Sequence, residues 1–448
     1  MISPAKFINF FQGDWFLRGP GAIPAPILNH TKEMLPSNSP TGRLVAPGEQ
    51  AYYNTGPAGQ MLSEEKIRSA LLWLVTFLIL CLLAVVFPYE YRDSDSSAYH
   101  SISQKLAGQP LSRWCAPEWW GHGYNAGLFR DHPPGIFWLP AALVRLGVPG
   151  RSAPLCANFL YLLLLLYVLH GLFTRFGGPV VGWAAVLAYI LTPIFVQYLI
   201  RANQELPLAL AVVAGLYGLS RHEESWRFKA LYAAALLLAV FIKGISALIL
   251  SLCSLAFWLI VSRKRRTLLL ILAGHLLALA AAAGFEWWYR AVTAGQSFWR
   301  GYLSFQGGKA VEAGFQPLAK AANLAWYLAR TLWFAAPWVF FLLYGLIRSF
   351  KIKSGFLREH FLQFILAASA LIMLFFSLFD RKADRYIFPV YILLAAAGAW
   401  VLVQKKSSFR SFFEKRRTHF SLILAVLLVV MTLLRIYFHT YHYRFIRL

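Results

Sequence analysis

Residues 133–147 read Pro-Pro-Gly-Ile-Phe-Trp-Leu-Pro-Ala-Ala-Leu-Val-Arg-Leu-Gly, apolar but short and interrupted by Pro140. A membrane-crossing helix needs about 20 apolar residues. If this segment crosses, every later segment changes sides. If it lies along the surface or is only partly inserted, the charges sort cleanly. Arg175, Arg221 to Lys229, Arg263-Lys264-Arg265-Arg266, Arg348 to Arg358 and Lys405 to Arg417 then share one side. Segments mixing acids, bases and aromatics share the other: Asp93 to Asp131, Arg201 to Glu205, Glu286 to Arg290 and Arg381 to Arg385. Lys and Arg collect in cytoplasmic loops, so residues 133–147 read as a juxtamembrane helix and the mixed set faces outward.

The composition agrees with a membrane protein. The 448 residues are 58% hydrophobic and 14% charged, with mean hydropathy +0.54; soluble domains carry roughly a quarter charged residues. The expected fold is an all-α polytopic membrane protein of about eleven transmembrane helices. The spans run Ile67–Phe87, Ala153–Phe173, Val180–Leu199, Leu206–Leu219, Lys229–Ile242, Gly244–Val261, Leu268–Trp288, Leu324–Ile347, Phe361–Phe379, Tyr386–Val403 and Phe420–Tyr437. A long first outer loop, about residues 88–151, carries juxtamembrane helices, one over 95–108 with Ser94 or Asp95 as N-cap and Gly108 as its stop. Residues 1–62 read as a low-order extension without a cleavable signal, 63–437 as the membrane domain and 438–448 as a tail.

The net charge of +24 does not indicate nucleic acid, because the excess sits in short loops beside apolar helices, where it sets orientation and meets anionic lipid. Cys81, Cys156 and Cys253 lie in apolar runs, and Cys115 stands alone in a polar loop. No disulfide framework or zinc pattern follows from them.

Chemistry-bearing residues collect on the outward side. Asp93 and Asp95 follow the first span; helix capping is the simpler role for an Asp there, and a cap is also a fixed carboxylate. Asp131-His132-Pro133-Pro134 forms a stiff corner. His100, His122 and His132 with Asp93, Asp95 and Asp131 match no zinc spacing, so no metal or cofactor is expected. Arg201, Glu205 and Lys243 sit where apolar runs break, and ionisable groups at membrane depth point to function, with snorkelling or a structural salt bridge as the alternative. Arg381-Lys382-Ala383-Asp384-Arg385-Tyr386 places cations outside against the usual bias, which calls for an anionic partner; arginine suits phosphate. A carboxylate to take a hydroxyl proton, cations for a departing phosphate and an apolar scaffold for a lipid together describe glycosyl transfer from a polyprenyl-phosphate sugar.

From Ile67 to Val403 the motif order resembles the GT-C superfamily of integral-membrane glycosyltransferases, in the branch of protein O-mannosyltransferases and the lipid A aminoarabinose transferase. The carrying elements are Asp95-Ser-Ser-Ala-Tyr99, Asp131-His132-Pro133-Pro134, Pro193-Ile-Phe195 through Arg201 to Glu205, Lys243-Gly244, and Lys382-Ala-Asp-Arg385-Tyr386-Ile-Phe-Pro389. The resemblance implies Asp95 as catalytic base, Asp131 as a second, positioning acid, and Lys382 and Arg385 at the lipid phosphate. His132, Arg201, Glu205, Lys243 and Tyr386 become substrate-binding candidates. It also implies an inverting transfer without a required metal, in a bacterial-type inner (plasma) membrane, with membrane lipids, the sugar donor and a hydroxyl acceptor as partners. Two departures matter. Ser96 follows Asp95 where relatives often carry Glu, so Asp93 stays an alternative base, and Glu205 stands where relatives often carry Asp. A non-catalytic transporter or flippase of a lipid-linked saccharide is the competing expectation.

Overall fold

A computed structural model describes residues 94–119, 127–199, 201–310, 316–352 and 359–403. The expected extension, the first span Ile67–Phe87, Asp93, His122, the last span Phe420–Tyr437 and the tail lie outside them. Regular structure among the described residues is helical: α1 (Ser94–Gly108), α2 (Gly135–Arg145), α3 (Ala153–Gly177), α4 (Pro179–Ile190), α5 (Pro193–Leu199), α6 (Glu205–Arg221), α7 (Trp226–Lys243), α8 (Leu248–Phe257), α9 (Arg265–Val292), α10 (Phe298–Ala310), α11 (Pro317–Phe334), α12 (Trp338–Ile352), α13 (His360–Ser377) and α14 (Phe388–Val403). Five of the described helical segments are long and apolar enough to cross a membrane, or seven if each of two bent pairs is one span.

One of those five, Trp226–Ser262, holds two arms rather than one rod. A straight helix would put residues 22 positions apart about 33 Å from each other. Instead the Tyr232 hydroxyl donates to Ser254 Oγ over 3.1 Å. The chain therefore reverses at Lys243–Gly244, where Gly244 has φ +56°. That conformation is strained for a side chain, and an added Cβ would also meet the Tyr302 hydroxyl at 2.5 Å. Tyr302 ties the turn, its hydroxyl donating to Lys243 O over 3.0 Å and accepting from Ile245 N over 2.9 Å.

Two expected spans prove to be broken. Val180–Leu199 divides into α4 and α5 with a 61° bend, and Leu324–Ile347 falls across α11 and α12, which meet at 111°. Pro193 and Pro337 stand at these breaks; proline offers no N–H to the preceding turn and disfavours helix in the residue before it. Apolar runs averaged across the breaks concealed them.

The short segment that decided the threading is α2, 11 residues long and about 16 Å at helical rise, half a bilayer core. It packs on the end of α7 nearest the hairpin turn: a Cβ on Gly135 would lie 2.6 Å from Phe241 O, and Trp138 contacts Phe241 at 5.6 Å between centroids. Tyr99 of α1 meets Phe129 and Phe137 edge-on, at 6.0 and 5.4 Å. α1 and α2 thus share a core with the bundle.

α14 is enclosed, with every residue from Phe388 to Trp400 buried. Its sequence is apolar all round, as a helix enclosed on all sides requires. α9, which is also long and apolar enough to cross a membrane, leaves Leu269, Leu272, Leu276, Leu277 and Leu279 exposed.

Candidate active site at one end of the bundle

Asp95 sits in the first turn of α1. Arg385 sits in a single 3-10 turn, Asp384–Ile387, that leads into α14. Arg385 Nη1 donates to Asp95 Oδ2. The arginine side chain is 28% exposed and the carboxylate 46%, so the pair opens to solvent on the acid's side.

Behind it lies a second pair. Glu205 opens α6 and Lys243 closes α7, and Lys243 Nζ meets Glu205 Oε1 at 2.9 Å with the two side chains 3% and 0% exposed. Charges this deep persist only when paired, since desolvation costs several kcal/mol per ion. The Glu205 carboxylate also acts on Arg385, which couples the pairs into one alternating quartet. Lys243 Nζ lies 5.7 Å from the centre of the Tyr386 ring, a cation–π distance. Glu205 Oε2 is buried without a hydrogen-bond partner among the described residues, a lone pair suited to a ligand hydroxyl.

The break between α5 and α6 is pinned to this site. Ala202 N donates to Ser96 Oγ over 3.0 Å, and Gln204 Nε2 donates to the Tyr99 hydroxyl. Asn158 Nδ2 of α3 reaches Leu199 O at 3.0 Å and Arg201 O at 2.6 Å. Burial first, then the Asp95 charge, hold the Tyr99 phenol well above its ordinary pKa, so it stays protonated. The Arg201 guanidinium lies 5.5 Å from the centre of the Tyr198 ring.

Asp131 and His132 lie just before α2. Gln306 Nε2 of α10 donates to Asp131 O over 2.6 Å, and the charge of Asp131 is felt at Tyr99, as are those of Asp95 and Glu205. Lys382 and its neighbour Arg381 are exposed, and neither forms an ion pair with a described residue. Among the described residues no group of three or more His, Cys, Asp or Glu converges as a metal site would need.

Sequence reasoning missed the contribution of α11. Lys320 Nζ donates to Asp380 Oδ1, Asn323 Nδ2 reaches Phe379 O at 2.8 Å, and Arg330 Nε lies 3.2 Å from Asp384 Oδ1. Gln204, Asn158 and Gln306 were also overlooked. At the far end of α6, about 25 Å away at helical rise, a separate set pairs Arg221 with Glu224, Arg175 with Glu224 at 3.3 Å and Lys264 with Glu223 at 2.6 Å.

Residues 131–288 match the family of dolichyl-phosphate-mannose-protein mannosyltransferases. That stretch holds Asp131, His132, Arg201, Glu205 and Lys243, and stops short of Arg385. No curated protein matches the chain. The fold is similar to that of ArnT from Cupriavidus metallidurans bound to undecaprenyl phosphate, with TM-score 0.62 and 16% identity over 78% of this chain and 63% of that one. The apo state of the same protein gives 0.58 and 19% over 77% and 62%. The archaeal oligosaccharyltransferase AglB from Archaeoglobus fulgidus, in complex with an inhibitory peptide and a dolichol-phosphate, gives 0.51 and 16% over 83% and 56%. The chain spans about three fifths of the length of these solved structures. The fold is thus similar to that of ArnT and AglB, and within it residues 131–288 match the mannosyltransferase family, in line with the resemblance drawn from the motif order.

Proposed function

We propose that this GT-C-fold chain is a membrane glycosyltransferase, moving a sugar from a polyprenyl-phosphate donor to a hydroxyl of a lipid, lipid-linked glycan or protein. The observation that carries the reading is the contact between Asp95 and Arg385: a carboxylate able to take a proton touches a guanidinium able to take a phosphate. The reaction runs on the non-cytoplasmic face of a bacterial-type inner membrane, within residues 63–437.

The acceptor oxygen attacks the anomeric carbon as the bond from that carbon to the phosphate oxygen breaks. Asp95 receives the acceptor's proton, with Asp93 the alternative base, and the electron pair of the broken bond leaves with the lipid phosphate. Arg385 and Lys382 stabilise that growing charge. Asp131 and His132 border the acceptor side, while Arg201, Tyr386, Lys243 and Glu205 line the sugar, Glu205 offering its unpartnered oxygen to a hydroxyl. The apolar bundle fixes the donor in two dimensions.

In the free protein Arg385 occupies Asp95. A donor phosphate draws the guanidinium away and frees the carboxylate, so the base becomes available when the donor has arrived.

The test is label transfer from a panel of polyprenyl-phosphate sugars in proteoliposomes, comparing the wild type with Asp95→Asn. Transfer that collapses in the variant supports the reading. Transfer that survives moves the base to Asp93 or Asp131. Lipid binding with no transfer from any donor favours a transporter of lipid-linked saccharides.

A further inference from the structure

The segment Asp380-Arg381-Lys382-Ala383-Asp384-Arg385 carries two acids and three bases within six residues. Left to itself, such a loop neutralises its own cations, because carboxylates and guanidinium or ammonium groups this close in sequence find each other. In the structure both acids are engaged from outside the loop. Lys320 Nζ bonds Asp380, with the lysine side chain 9% and the aspartate 18% exposed. Arg330 holds Asp384 at 3.2 Å, side chains 27% and 23% exposed. Asn323, between them on α11, ties the backbone at Phe379 O and at Ser377 O, 2.8 and 3.3 Å. Lys320, Asn323 and Arg330 lie at three-, seven- and ten-residue intervals, so one face of α11 carries all of them.

We infer that α11 keeps the loop's two carboxylates away from its cations, and that Lys320 and Arg330 are positioning residues which leave Arg381 and Lys382 uncompensated for the phosphate of a polyprenyl phosphate. The inference rests on the proposed transferase reading for the identity of that anion. It assigns α11 an electrostatic task that a purely mechanical clamp lacks. A clamp is weakened by losing either partner of the Lys320–Asp380 pair. Under sequestration the partners differ in sign: without Lys320, Asp380 turns on Arg381 and Lys382, whereas removing Asp380 as well takes the competitor away.

The experiment measures binding of undecaprenyl phosphate to purified full-length protein in nanodiscs, and donor KM and kcat where transfer is seen. Lys320→Met is expected to weaken lipid-phosphate binding about fivefold, the size of one competing exposed ion pair, raising donor KM with much less change in kcat. Adding Asp380→Asn to Lys320→Met is expected to restore most of that affinity. Should Lys320→Met fail to fold, Arg330→Met with and without Asp384→Asn makes the same comparison. A double variant as weak as the single, or a single as tight as wild type, overturns the inference while leaving transfer intact. Binding that follows the expected pattern without transfer from any donor sinks the transferase reading and leaves the sequestration standing. A wild type that binds no polyprenyl phosphate overturns both.

Discussion

Arg385 reaches Asp95 across 290 positions of sequence, its Nη1 donating to Oδ2. The contact joins the first turn of α1 to the turn that leads into the buried helix α14. On the proposed reading it places a proton acceptor and a phosphate ligand in one another's grasp.

Removing the acid should therefore separate binding from chemistry. Asp95→Asn is expected to lower transfer by about 10²–10⁴-fold, the usual worth of a general base. It should bind undecaprenyl phosphate at least as tightly as wild type, because Arg385 no longer has a carboxylate to leave. Equilibrium lipid binding beside single-turnover transfer checks this; affinity that falls along with activity would make the pair a structural brace.

The inner pair behaves otherwise. Lys243→Met strands the Glu205 carboxylate, which is 0% exposed, and is expected to cost about 3–5 kcal/mol of stability. Glu205→Gln combined with Lys243→Met should recover most of it. Thermal unfolding of the two single variants and the double forms a cycle whose coupling term measures the pair.

Helix approach is tested at Gly398. A Cβ there would lie 2.0 Å from Trp338 O, a backbone atom that cannot swing aside, so Gly398→Ala is expected to cost about 1–3 kcal/mol. Gly284 on α9 has nothing within 4 Å of its would-be Cβ, and Gly284→Ala should instead gain up to about 1 kcal/mol through helix propensity. Opposite shifts in melting temperature are the expected result.

The thiol of Cys115 offers a pH-dependent readout. It is buried beside Phe285, Tyr289, Phe298 and Tyr302, and burial pushes its pKa up to about 11. A raised thiol pKa means less thiolate at a given pH, roughly one molecule in a thousand at pH 8. Iodoacetamide should modify Cys115 slowly at pH 8 and faster as pH climbs toward 11, or at once after unfolding. Rapid labelling of the native protein at pH 8 contradicts that packing.

Glu205, Lys243 and Arg385, which the structure clusters with Asp95, stood out in the sequence because each interrupts or borders an apolar run, where a charge is conspicuous. The charge bias read residues 133–147 as a juxtamembrane or partly inserted helix, and the structure gives that segment a helix of 11 residues. What escaped were groups whose partners are remote in sequence. Lys320 lies 60 positions from Asp380 and looks like any helix-surface lysine. Asn158 is an uncharged amide inside an apolar helix, so hydropathy passes over it. The bends at Thr192 and at Ala335 to Pro337 were hidden for a related reason: a window average registers apolar content and ignores a change of direction.

The quartet of Asp95, Arg385, Glu205 and Lys243 carries no formal net charge. On the proposed chemistry the lipid enters as a phosphodiester with one negative charge and departs as a monoester with about −1.5 to −2 at neutral pH. The surplus cations at Arg381 and Lys382 therefore grip the spent carrier harder than the loaded one. On that chemistry the bare lipid is expected to leave more slowly than the loaded one, so that whatever clears it from the membrane would set the pace of turnover.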